Sequence, residues 1–332
     1  MSKKQKGGQN LNSYQIRRPL KRMFPLFILP TFLCFIIGFI WPFLQGIYLS
    51  FTDFMVPSDA ELTVIPAIDA ARNDPSIITE AGGSFSYYMD AIFQNYRKAF
   101  EDPSFSRAFW NTAGFAVVSI VAINVIAFAI AYALTQKMRG SNLFRTVFFM
   151  PNLIGGVVLG YIWSMIFDAI LKQYSTYLTA NSTYGFWGLV ILVAWQQIGY
   201  IMIIYIAGLQ SVSEDMLEAA RIDGANGWQT LFRVTIPNVM PSITICTFLT
   251  LTNSFKMFDQ NMALTGGDPT ITLAGGAQIK STELLALNIY STYKIGRRWH
   301  GTAQAKAVIF FLLVAVLAIA QLTATRKKEV QQ

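Results

Sequence analysis

The sequence predicts an all-α membrane protein with six transmembrane helices. Hydrophobic residues make up 53% of the 332 residues and charged residues only 13%, whereas soluble domains carry about 25% charged residues. Six apolar runs are long enough to cross a bilayer, which takes roughly 20 residues. The net charge of +8 could suggest nucleic-acid binding. The basic residues cluster at the ends of the apolar runs, however, so membrane topology explains them better and no nucleic-acid partner is expected.

The predicted elements follow one another along the whole chain. Residues 1–23 form an N-terminal segment, and 24–332 form one transmembrane domain. The spans are predicted at about 24–51, 109–136, 143–168, 185–210, 238–262 and 302–324. Between the first two lies the polar stretch 52–108, which contains four prolines and is long enough to form a small cap. The first run is too long for a signal peptide, and no small-residue cleavage site follows it.

Lysine and arginine set the orientation of the spans. With the N-terminus inside the cell, most of these residues fall on the inner side, including Arg326, Lys327 and Lys328 near the C-terminus. This bias is the usual signature of cytoplasmic loops. Both termini and the 211–237 loop are therefore expected in the cytoplasm, and 52–108 outside it.

The 211–237 loop is polar and interrupted by glycine. The spacing of Ser211 and Glu214 predicts a capping box at the start of a helix, and Gly224 suits a left-handed cap at its end. A second helix is expected to begin near Asn226, and Pro237 is expected either to end it or to start the next span. Two short capped helices would make a rigid knob. The alternative is an ordinary amphipathic helix at the membrane surface.

This loop resembles the EAA loop of ABC-importer permeases, the segment that contacts a cytoplasmic ATPase. The matching residues are Glu218, Ala219, Ala220, Asp223, Gly224 and Ala225. The stretch WPFLQGIYLSFTDF (41–54) is typical of the first of two paired sugar permeases, similar to the maltose-type subunit with the longer outer loop. Similar stretches occur at 108–134, 144–163 and 255–269. The chain departs from the family pattern at Asp268 and over Gly301–Lys306, which affects the substrate and not the class.

The resemblance implies a maltose-type permease fold in a bacterial plasma membrane. It also implies four kinds of partner: a second homologous permease subunit, two cytoplasmic ATPase subunits, an extracytoplasmic solute-binding protein and a sugar substrate. The loop residues above would couple transport to ATP hydrolysis. ATP and Mg²⁺ would be bound by the ATPase subunits, and no cofactor is expected in this chain.

Polar residues inside membrane spans are functional candidates, because they are costly to bury. In the fifth predicted span, Lys256 and Asp259 are spaced to pair across one helical turn, and Asn253 shares a helix face with Lys256 and Gln260. Trp195 and Tyr200 would give a sugar aromatic surfaces. The resemblance carries substrate binding onto Asn152, Gly156, Gln196, Gln197, Tyr200, Ser254 and Met257. Alternatively, these polar groups join neighbouring helices. Lys306 lies about one turn from the outer end of its span, so snorkelling and a functional role explain it equally well.

Motifs for chemistry are missing from the sequence. It contains no phosphate-binding Gly-X-X-X-X-Gly-Lys-Ser/Thr, no Gly-X-Ser-X-Gly and no His-Glu-X-X-His, so the chain is not expected to be an enzyme. Its single histidine, His300, and two cysteines inside apolar runs make a metal site or disulfide framework improbable. Two other functions stay open: an importer for an acidic oligosaccharide, polyol or glycerol-phosphate-like solute, and an ATPase-independent secondary transporter, which would be expected to carry an inverted repeat.

Overall fold

A computed structural model describes residues 27–56, 59–136 and 140–326. The predicted cytoplasmic segment 1–23 and the basic residues Lys327 and Lys328 lie outside the described residues. Within them, five helices are long and apolar enough to cross a membrane, and a sixth span is possible if one bent helix pair counts as a single span. The long helices are α1 (Phe27–Leu49), α6 (Pro103–Thr135), α9 (Ser182–Gln210), α11 (Gly227–Phe255) and α14 (His300–Arg326).

The third predicted span, 143–168, is not one straight helix. It consists of α7 (Ser141–Phe149), a 3-10 turn at Met150–Leu153, and α8 (Gly156–Leu171). The two halves are bent by 100°. Pro151 lies inside the turn, and Gly155 has an extended backbone. Proline has no N–H to donate to the helical hydrogen-bond ladder, so the helix breaks at Pro151.

The fifth predicted span, 238–262, is also interrupted. Helix α11 ends at Phe255, and a short helix, α12 (Asp259–Leu264), begins after a break. The prediction that Asn253, Lys256 and Gln260 share one continuous helix face was therefore wrong. Lys256 and Asp259 form no ion pair in the described part of the chain, because the break separates them.

A cap lies between α1 and α6, as predicted for the stretch after the first span. It contains an antiparallel hairpin and four short helices, and its last residues, 103–108, belong to α6 and not to the loop. The elements are β1 (Thr52–Val56), β2 (Asp59–Leu62), α2 (Val64–Asn73), α3 (Ser76–Glu80), α4 (Ser84–Ile92) and α5 (Gln94–Glu101). The Asn95 amide on α5 donates to the carbonyl oxygens of Ser50 and Thr52, at 3.1 and 2.9 Å. It thereby fixes the cap to the end of α1.

A second hairpin and a helix connect α12 to the last span. They are β3 (Thr270–Thr272), β4 (Gln278–Lys280) and α13 (Leu285–Ile295). Helix α13 packs against α14 and α6.

The core is built around α9, which packs on α6 and α11 through large apolar side chains such as Phe115, Leu192 and Met202. Polar contacts reinforce this packing: Tyr205 donates to Asn124 Oδ1 at 2.7 Å. In contrast, none of the apolar window of α1 or of α14 is buried within the chain. Those faces are free to meet lipid tails or another subunit.

Of the two explanations for Lys306, snorkelling is not found. Its side chain is fully buried, and Nζ donates to Asp102 Oδ2 (2.6 Å), Thr292 Oγ1 (2.7 Å) and Asn288 Oδ1 (3.0 Å). At this point α14 faces α13 and the start of α6 instead of lipid. The ammonium therefore has protein partners for all three of its N–H bonds.

Candidate functional site

The first candidate site is the loop between α9 and α11. Its helix α10 (Glu214–Ile222) begins after Ser213, and no side-chain cap bond forms there. The predicted capping box from Ser211 is absent, because the Ser211 hydroxyl donates back to the Gly208 carbonyl of the preceding helix at 2.7 Å. The acidic side chains of Glu214 and Asp215 still lie in the first turn, where they suit the helix dipole.

The end of α10 is a complete Schellman motif. Gly224 has φ +78, and its N–H donates to Arg221 O at 3.1 Å. The next N–H, of Ala225, donates to Ala220 O at 2.9 Å. These two bonds satisfy carbonyls that the helix end would leave free. The left-handed conformation predicted for Gly224 is present.

The second helix of the loop is not a separate element. Asn226 forms a capping box with Gln229, through bonds of 2.9 and 2.8 Å. From Gly227 the chain stays helical through the π-helical turn Leu231–Thr235 and past Pro237. Pro237 therefore neither ends this helix nor starts the next span. The second helix of the loop and the fifth span up to Phe255 form one continuous helix.

The surface of the loop is only partly as expected. Glu218, Ala219 and Asp223 are exposed, but Ala220 is buried within the chain and so is not free to contact a partner. Ile222 is 86% exposed, an unusual position for a large apolar side chain. Sequence reasoning missed it, although an isoleucine directly before Asp223-Gly224 was a visible signal.

The second candidate site is a polar cavity at the two helix breaks. A cavity of about 310 Å³ is lined by Asn152, Gln196, Gln197, Tyr200, Leu249, Asn253 and Gln260. An adjoining cavity of about 260 Å³ is lined by Gln197, Asn253, Lys256, Met257, Phe258, Asp259 and Gln260. The walls of these adjoining cavities thus come from three elements: the turn of the third span, the middle of α9 and the break after α11.

Most of the predicted substrate residues meet in this cavity, but two do not line it. Ser254 is buried, and its hydroxyl donates to the Thr250 carbonyl at 2.8 Å. Gly156 lies where α8 touches α12: a Cβ there would come within 2.8 Å of the Gln260 side chain. Trp195 packs edge-on against Trp163 and is not among the lining residues. The lining residues Leu249 and Phe258 were missed, since apolar side chains gave no signal in an apolar run.

The amides of the cavity differ in their hydrogen bonds. Gln196 Nε2 donates to the Ile154 carbonyl at 3.2 Å, and its Oε1 accepts from Gln260 Nε2 at 2.8 Å. The neighbouring Gln197 is also buried, but its Oε1 has no partner among the described residues. Lys256 and Asp259 are exposed and bring one charge of each sign to the cavity wall. Within the described ranges, no group of three His, Cys, Asp or Glu side chains is placed to hold a metal.

Comparison with known proteins decides the class. Residues 124–328 match the family model described as the inner membrane component of binding-protein-dependent transport systems. The chain belongs to this family. Its members are transport components of the inner membrane and not enzymes, and the membership confirms the predicted permease of an ABC importer.

Relatives of known name extend the match to 92% of the chain. The probable starch degradation products permease AmyD of Thermoanaerobacterium thermosulfurigenes is 39% identical over 315 residues, which is 92% of this chain and 94% of AmyD. The multiple sugar-binding transport system permease MsmF of Streptococcus mutans is 29% identical, over 74% of this chain and 84% of MsmF. The present chain is also similar in fold to a chain of a bacterial ABC transporter that imports the acidic polysaccharide alginate. There the TM-score is 0.70 at 17% identity, covering 94% and 99% of the two chains. The all-α permease fold is thereby confirmed.

Proposed function

We propose that this chain is one permease subunit of an ATP-driven importer for sugars or oligosaccharides. The observation that carries the proposal is the cavity at the two helix breaks, where side-chain amides from three spans converge. The names of the relatives AmyD and MsmF support a carbohydrate substrate.

The chemistry of the cavity suits a sugar. A sugar hydroxyl both donates and accepts, and each amide side chain offers both functions. The free Oε1 of Gln197 and the amides of Asn152 and Asn253 are available to such groups, while Tyr200 and Phe258 provide aromatic surface. The two adjoining cavities reach the lower end of the volume typical of ligand pockets, about 300–1,000 Å³. A second homologous permease subunit would supply the opposite wall and enlarge the site.

The energy for transport would come from two ATPase subunits that hold ATP and Mg²⁺. They would contact the loop at Glu218, Ala219, Asp223 and Gly224 on the cytoplasmic side, where both chain termini would also lie. An extracytoplasmic binding protein would deliver the sugar to the cap within 52–108. Closure of the ATPase pair on ATP would draw the two loops together and open the cavity outward, and hydrolysis would return it inward. Nucleotide and loaded binding protein would each bias the equilibrium by binding one conformation better.

One observation favours a second substrate class. Lys256 is exposed at the cavity and has no ion pair with Asp259. A free ammonium would suit an acidic oligosaccharide or a glycerol-phosphate-like solute, whereas the nearby carboxylate opposes that preference. Membership of a binding-protein-dependent family speaks against the ATPase-independent transporter.

Uptake by the reconstituted complex tests the proposal. Gln197→Leu and Asn253→Leu should each raise the KM for a transported oligosaccharide at least tenfold, because each removes an amide from the cavity. Gln173→Leu, at an exposed glutamine outside the cavity, is the matched control and should leave the KM unchanged. An unchanged KM in both cavity variants would contradict the assignment of the site.

A further inference from the structure

The break in the third span leaves a backbone carbonyl that no helix satisfies. The chain is extended at Ile154 and Gly155 between the two halves of the span. In a membrane such a group must find a partner inside the protein. The partner is the side chain of Gln196 on α9, whose Nε2 lies 3.2 Å from Ile154 O.

The break after α11 meets the same side chain from the other direction. Gln260, in the first turn of α12, donates from Nε2 to Gln196 Oε1 at 2.8 Å. The fit depends on Gly156, because any Cβ at that position would collide with the Gln260 amide. One buried amide therefore ties the two breaks together, with its donor and its acceptor both engaged.

The adjacent Gln197 lines the same cavity but differs from Gln196 in its hydrogen bonds. It is as deeply buried as Gln196, at 8% against 6% exposure, yet its Oε1 has no partner in the described part of the protein. A buried acceptor without a partner is costly, so such an atom is a place for a ligand donor. Two neighbouring glutamines on one helix thus have different tasks.

We propose that Gln196 is a positioning residue that holds the two helix breaks in register through Ile154 and Gln260. Only its effect on uptake rests on the proposed function. The register of the two breaks sets the distance between Asn152 on one side of the cavity and Asn253 on the other. Gln196 therefore acts on specificity through the shape of the cavity and not through a bond to the sugar.

The test compares Gln196→Leu with Gln197→Leu, because the two side chains are similarly buried and only Gln196 bonds across the two breaks. Gln196→Leu leaves the Ile154 carbonyl and the Gln260 amide without their partner, which is costly for buried polar groups. The thermal midpoint of the purified complex should therefore fall by about 2–4 °C. Gln197→Leu is the matched control. It removes an acceptor that has no partner among the described residues and should leave the midpoint nearly unchanged.

A double-variant cycle adds a second readout. Gln196→Leu and Gln260→Leu should be non-additive, so that the double variant has about the same KM for uptake as the worse single variant. Additive effects for this pair, together with an unchanged midpoint for Gln196→Leu, would overturn the positioning role. If the wild-type complex transports none of a panel of neutral and acidic saccharides, the proposed function fails, while the midpoint experiment still decides the role of Gln196.

Discussion

The ammonium of Lys306 lies 2.6 Å from the carboxylate of Asp102, across a gap of 204 residues in sequence. Asp102 also caps α6 by accepting from the Ser104 N–H at 2.9 Å. One carboxylate therefore fixes the start of the second span and neutralises a lysine buried in the last. Asn288 completes the link, accepting from Lys306 and donating to Ser104 Oγ at 3.0 Å. The ends of α6, α13 and α14 are joined as one body.

Removal of the lysine should destabilise the protein strongly. Lys306→Met leaves Asp102 without its counter-charge, and breaking a buried pair costs about 3–5 kcal/mol. We expect a clearly lower thermal midpoint of the purified complex. Lys306→Met combined with Asp102→Asn should recover part of the loss, and Lys172→Met, at an exposed lysine, should have no effect. Equal midpoints for Lys306→Met and wild type would contradict the structure.

The stability contributed by the Asp102–Lys306 ion pair should persist in moderate acid. Burial acts to raise the pKa of Asp102, but the Lys306 ammonium and the Ser104 donors outweigh it and leave that pKa below its ordinary value. A lowered carboxyl pKa contributes stability that is complete above the unfolded value, about 3.9, and is lost as pH falls through the folded value. The difference in thermal midpoint between wild type and the double variant Asp102→Asn, Lys306→Met, which leaves neither charge unpaired, should therefore be constant from pH 8 to pH 5. A difference that shrinks already between pH 7 and pH 5 would count against this account.

The two glycines of the loop should respond differently to the same change. Neither Gly224 nor Gly227 has any atom within 4 Å of an added Cβ, but only Gly224 has a positive φ. Gly224→Ala forces alanine into the left-handed region, at a cost of about 1–2 kcal/mol, and should distort the end of α10. We expect weaker substrate-stimulated ATP hydrolysis by the assembled complex. Gly227→Ala, its matched control, should keep wild-type coupling; equal losses in both would refute the explanation.

Ile222 should be part of the contact with the ATPase. An apolar side chain with 86% exposure is costly in the free chain and gains by burial against a partner. Ile222→Asp should reduce co-purification of the ATPase subunits at least tenfold, and Glu218→Ala should reduce it less. The conservative Ile222→Val should keep most of it. Full recovery of the ATPase with Ile222→Asp would remove this residue from the interface.

Lys256 should distinguish the substrate classes. If the cargo is a neutral sugar, Lys256→Ala should change the uptake KM less than threefold, and this is the outcome that we expect from the charge of Asp259 beside it. If the cargo is acidic, the same variant should raise the KM at least tenfold, while Asp259→Asn lowers it. Uptake measured with matched neutral and uronate oligosaccharides separates the two cases.

The sequence predicted what depends on local composition. The apolar runs indicated the spans, Gly224 indicated the left-handed end of one helix, and Asn226 indicated the start of the next, because each of these features rests on a few neighbouring residues. The interruption after Phe255 was not predicted. Hydrophobicity averaged over an apolar run does not change at a short helix break, because the backbone groups that the break frees can bond to distant residues. The burial of Lys306 was not predicted either, because all its partners are distant in sequence.

The continuity of α11 from Gly227 to Phe255 has a mechanical consequence. A helix of 29 residues is about 43 Å long, so a tilt of roughly 5° at one end displaces the other by about 4 Å. One end carries Trp228 and Phe232, stacked 5.9 Å apart and largely exposed, and the other carries Asn253. If an ATPase contacts the loop as proposed, a small tilt imposed at that end of α11 would move the cavity wall by more than the diameter of a water molecule.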